Sequence, residues 1–114
     1  MILTVVALLS MTATFAEDAK VNNVNAYDMS VNYNRLGSAL GLTIDQQESI
    51  EEIHKVFCAE MLNAANADKA DRKEMMDKAI KKELKHMRAI MSNKQYHKYV
   101  MLLNVTLNNR GLNN

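Results

Sequence analysis

The chain has no proline, no tryptophan, three glycines and one cysteine among its 114 residues. Without proline there are no polyproline segments and no proline-set turns, so helix ends must be made by side-chain caps and the few glycines. The lone Cys58 cannot form an internal disulfide, and stability must come from packing. Its simplest reading is a small buried or half-buried hydrophobe. Fourteen Lys and Arg against thirteen Asp and Glu leave a net charge of +1, which gives no general pull toward nucleic acid or an anionic membrane. Serines are few, no strand is evident and no glycine-rich loop is present, which excludes phosphate cradles and nucleophile elbows. Glu51 and Glu52 are adjacent in sequence but diverge by about 100° on a helix, so they form a solvated face and not a catalytic pair. The expectation is a protein that is not an enzyme.

Ala, Leu, Met, Lys and Glu dominate, and these residues lose least on entering a helix. The fold class expected is therefore all-α, with four helices in a small antiparallel helical-hairpin domain that pairs as a homodimer. Residues 1–16 carry no charge and end in small residues before Glu17, the pattern of a secretory signal cleaved after Ala16. That apolar run is shorter than the roughly 20 residues needed to cross a bilayer, so no stable membrane insertion is expected. A periplasmic or secreted location follows. Residues 17–25 are polar and aperiodic, an N-terminal arm; 26–108 form the helical domain; 109–114 are a fraying tail.

Within the domain, Met29, Tyr33, Leu36 and Leu40 recur on one face of a first helix over 26–40, which Gly41 ends. Leu42-Thr43-Ile44-Asp45-Gln46 then opens a second helix reaching about Asn66. Thr43 caps its first turn and Gln46 reaches back to the cap residue's N–H, the reciprocal pairing of a capping box. Ile50, Ile53, His54, Phe57, Met61, Ala64 and Ala65 make its apolar stripe. Asp68 and Asp71 both offer caps for a third helix to about Met91, and residues 64–71 read equally as a tight turn or a bend. Its apolar face is read as Met76, Ile80, Leu84, Met87 and Met91, flanked by Ala79 and Ile90, opposite a largely basic surface. Because the second helix is acidic, antiparallel packing would set opposite fields along the seam. The capping device recurs at Met91-Ser92-Asn93-Lys94-Gln95, opening a fourth helix to about Asn108. Tyr96, Tyr99, Val100, Leu103 and Leu107 form one side of it, yet Met101, Leu102 and Val105 point elsewhere. That second apolar side is either central in the fold or shared with a partner.

Two sets of residues carry candidate chemistry. His54 and Cys58 lie one helical turn apart with Met61 on the same side, donors acceptable to a soft transition metal such as copper, nickel or zinc. The competing reading is a satisfied core histidine beside a small thiol. The mature part is rich in methionine, which suits either an adaptable binding surface or a core filled with Met in place of Leu. Met75, Met101, Leu102 and Val105, with Lys81, Lys82, Lys85 and Arg88, are the candidate partner-binding set.

Leu42-Thr43-Ile44-Asp45-Gln46 and its variant Met91-Ser92-Asn93-Lys94-Gln95, in the order short helix, box, helix, long helix, box, helix behind an export signal, resemble the Spy/CpxP family of LTxxQ-motif periplasmic proteins. The resemblance covers about Met29 to Leu107. It implies a small helical, cradle-shaped homodimer that works without ATP, shelters unfolded envelope proteins or damps a membrane stress sensor, and in some relatives binds metal ions.

Overall fold

Both capping boxes form completely, and they meet. The computed structural model describes residues 25–112, and within it four helices follow one another: α1 (Tyr33–Leu40), α2 (Ile44–Ala65), α3 (Lys69–Ile90) and α4 (Asn93–Asn109). There is no strand among the described residues, so the all-α expectation holds. No helix among them is long and apolar enough to cross a membrane. The signal segment and most of the N-terminal arm lie outside the described residues.

The Thr43 hydroxyl accepts from the Gln46 N–H at 3.1 Å, and the Gln46 side-chain oxygen accepts from the Thr43 N–H at 2.9 Å. Ser92 and Gln95 repeat the exchange at 3.2 and 2.9 Å. Each glutamine then spends its amide on the other box. Gln46 Nε2 donates to the Ile90 carbonyl and to Gln95 Oε1, both at 3.0 Å; Gln95 Nε2 donates to the Gly41 carbonyl at 2.9 Å. Ile90 and Gly41 stand two residues before their respective cap residues, so the two contacts are the same contact made in both directions. The α1–α2 and α3–α4 joints are thereby tied as a quasi-symmetric pair. Gly41 closes α1 in the left-handed conformation, φ 67°, which a residue without a Cβ adopts freely.

Helices α2 and α3, each 22 residues and therefore about 33 Å long, form an antiparallel hairpin that gives the molecule its 47 Å long axis. Residues 66–68 make the turn between them, so residues 64–71 are a turn and not a bend. Ile50, Phe57, Met61 and Met87 are the large side chains sealed completely from solvent, and each such burial stabilises the fold by about 1.5–3 kcal/mol. Met29, Met76 and Met91 are buried too, so most of the methionine serves the core.

Three expectations change. The first helix is shorter than 26–40 and starts at Tyr33, because the Asn32 side chain caps it by accepting from the Arg35 N–H at 3.1 Å. The tail to Leu112 is held: Gly111 takes φ 72°, the Leu112 N–H reaches the Leu107 carbonyl at 2.9 Å, and Leu112 packs on the core. Along the hairpin seam, among the described residues, the opposite surface charges form one direct ion pair, Lys82–Glu60, 2.9 Å. The buried seam pair has the reverse polarity, with the acidic helix supplying His54 and the basic helix Glu83.

Candidate functional site

Two regions of the molecule carry more chemistry than packing requires: a buried polar centre and an outward-facing surface.

The centre is built on His54 and Glu83, 3% and 2% exposed. Continuing the α2 stripe Ile50, Phe57, Met61 puts His54 on the inward face, and the α3 stripe Met76, Ala79, Met87 does the same for Glu83. His54 Nδ1 lies 2.8 Å from Glu83 Oε2 and Nε2 lies 2.7 Å from the Met29 carbonyl. The Tyr99 hydroxyl of α4 donates to Glu83 Oε1 at 2.6 Å. A carbonyl can only accept, so Nε2 must carry a proton, which turns Nδ1 toward the Glu83 carboxyl group. With its pKa raised to about 10, the ring is an imidazolium at neutral pH. Tyr33 closes the centre from α1, its ring edge-on to His54 with centroids 5.9 Å apart.

Burial acts to strip the proton from His54, but the neighbouring Cys58, the hydrogen bond and charge of Glu83 and the Met29 carbonyl outweigh it and lift the pKa to about 10. Burial and the neighbouring Glu83 push Tyr99 strongly upward, so it stays a neutral donor. These contacts exist only in the fold, and the unfolded imidazole releases its proton near pH 6.5. The stability they contribute is thus complete below about pH 6.5 and is lost as pH climbs toward 10. Thermal midpoints measured by circular dichroism at intervals from pH 6 to 10 are expected to fall steadily. In Glu83→Gln, where a neutral ring can keep Nε2–H on Met29 and accept from the amide at Nδ1, that fall should be much shallower.

As a metal set, His54, Cys58 and Met61 do not fit. Both ring nitrogens of His54 are engaged, so coordination would sacrifice either the Glu83 pair or the Met29 carbonyl. Met61 is fully buried, and Cys58 is half-buried. Among the described residues, no group of three or more His, Cys, Asp or Glu gathers to hold an ion.

The outward surface lies on α3 and α4. Lys81, Lys85 and Arg88 line a shallow groove floored by Leu84, Ala89 and Tyr96, with the Arg88 guanidinium 5.7 Å from the centre of the Tyr96 ring. On α4 the core takes Tyr99, Leu103 and Leu107. Lys94, Lys98, Met101, Leu102 and Val105, spaced to share the opposite side, are all exposed. Met101 is 66% and Val105 56% exposed. Of the partner-binding set, Met75 is half-buried against the core and Lys82 is paired with Glu60, while Lys81, Lys85 and Arg88 make no ion pair among the described residues.

The set gathers further meaning from the sequence itself: no Asp or Glu follows Glu83, whereas Lys85, Arg88, Lys94, Lys98 and Arg110 do. The net charge of +1 hides an acid-free end. Sequence patterning does not single out Glu83, and it places Tyr99 on the inward side of α4 without its hydrogen bond to Glu83. The available signal was the spacing Met76, Ala79, Glu83, Met87, which places one acid on an inward stripe within a run of lysines.

Compared with known protein families, with curated proteins and with solved structures, the chain matches none.

Proposed function

We propose that this is an exported, non-enzymatic helical protein that binds unfolded or partly folded envelope proteins on the outer side of α3 and α4, in the manner of the Spy/CpxP family it resembles. The observation that carries this reading is the exposed apolar row Met101, Leu102 and Val105 on the same side of α4 as Lys94 and Lys98, together with the groove that Lys81, Lys85 and Arg88 line with Tyr96. A protein with so small a core keeps large apolar side chains in water at a cost to its own solubility, and such patches mark interaction surfaces. The cations attract clients from a distance and the apolar row holds them. The two interlocked boxes support the family likeness, since a shared joint gives both motifs a common structural reason to exist.

The test is light scattering from a reduced, aggregating model client. Equimolar protein is expected to suppress aggregation, and Met101→Ser with Val105→Ser, or Lys85→Glu with Arg88→Glu, should lose most of that protection while melting like the native chain. No protection at several-fold excess of the native protein would defeat the proposal.

A further inference from the structure

Residues 27–32, between helical residues 25–26 and α1, are irregular, yet two of them are buried as if they were a ligand. Tyr27 and Met29 are sealed in the core, whereas Asp28 and Ser30 between and after them face solvent. The Asp28 carboxylate accepts from the Ser30 N–H at 3.0 Å and hydroxyl at 2.7 Å, which fixes a local turn around Met29. The main chain of the segment is gripped from two sides. His54 Nε2 donates to the Met29 carbonyl at 2.7 Å. Arg110, just past α4, donates to the Ala26 carbonyl at 3.4 Å and also to the Asp28 carbonyl. None of these donors belongs to α1, the helix the segment leads into, and Ser30, Val31 and Asn32 between segment and helix are exposed. No Cα of α2 lies within 8 Å of a Cα of α4, which leaves room between them for the segment.

We propose that the cleft between α2 and the end of α4 is a binding site for a short polypeptide segment, occupied here by the chain's own Tyr27–Met29. Its sockets accept two bulky apolar side chains separated by one polar residue, and its donors, His54 and Arg110, read main-chain carbonyls, so recognition depends on that spacing and little else. Such segments are common in unfolded chains. The tethered segment competes at an effective concentration in the millimolar range, which keeps the site closed to weak ligands in the native chain. The site is separate from the outer face of α4. A peptide that fails to bind here leaves the surface proposal standing, and loss of client protection in the surface variants leaves this one standing.

The experiment uses a fluorescein-labelled peptide with the sequence of residues 25–32 and reads anisotropy against the full chain. Tyr27→Ser with Met29→Ser, which vacates the sockets, is expected to bind it at least ~10-fold more tightly than the native chain, because the internal competitor is gone. Arg110→Ala loosens the segment from outside the core and should give a smaller gain; it supplies the answer if the double variant does not fold. A peptide with serine at both apolar positions should not bind. The proposal is overturned if neither folded variant binds the peptide better than the native chain, or if the serine peptide binds equally well.

Discussion

Replacing Glu83 by alanine is expected to destabilise the protein by about 3–5 kcal/mol, because it leaves the His54 imidazolium buried without its counter-charge. A domain of this size has a total stability of roughly 4–13 kcal/mol, so the loss is a large share of the whole. It corresponds to a fall in the thermal midpoint of at least ~12 °C. The same change also orphans the Tyr99 hydroxyl, which now donates to Glu83 Oε1. Removing the polar centre as a unit should cost less than breaking it. His54→Met, Glu83→Leu and Tyr99→Phe together delete the desolvated charges along with their partners, and only the Met29 carbonyl loses a donor. Circular dichroism melts of the single and triple variants, with urea titrations to give free energies, decide the matter. A Glu83→Ala chain within 1 kcal/mol of native, or a triple variant less stable than the single, would show that the pair is not the anchor described.

The second large effect concerns the joint between the boxes. Gln46→Ala removes the acceptor for the Thr43 N–H, the donor to Ile90 and half of the contact with Gln95. Losing a cap costs about 1 kcal/mol, and each further hydrogen bond about the same, so about 2 kcal/mol is expected. Gln95→Ala should cost a similar amount. Because the Gln46–Gln95 contact is counted in both single variants, the double variant should fall short of their sum by about 0.5–1 kcal/mol. Glutamate separates this joint from two independent boxes. In an isolated capping box Glu serves as well as Gln; here its second oxygen would face the Ile90 carbonyl and Gln95 Oε1, with no proton to offer either. Gln46→Glu is therefore expected to be no better than Gln46→Ala in thermal melts. Near-native stability of Gln46→Glu would mean that the cross-contact contributes nothing.

These two predictions rest on features that differ in how far the sequence discloses them. The boxes were legible because capping is local: Thr43 and Gln46, or Ser92 and Gln95, lie within one turn, and their partners are backbone groups of that turn. The stripe Ile50, His54, Phe57, Met61 was equally legible, since a period of 3.6 places those residues together whatever surrounds them. The α3 stripe is legible in most of its members: Met76, Met87 and Met91 are buried, and Ile80 and Leu84 pack half-buried against the core. Between Met76 and Met87 the fully buried residues are Ala79 and Glu83, because a small residue and a paired acid let α3 lie close against α2 at His54. The start of α1 was misplaced for a related reason. Met29 looked like the first member of a helical stripe, but its burial belongs to an irregular segment held by donors on other helices.

Residue order alone thus determined the helix content, the capped joints and the inward face of α2, all set by interactions within four residues. Only the tertiary structure decided that Gln46 finds Gln95, that His54 is an imidazolium, and that Arg110 secures the segment before α1. Each of those depends on groups 25 to 84 positions apart, where helix periodicity specifies a face but not the neighbour that will meet it.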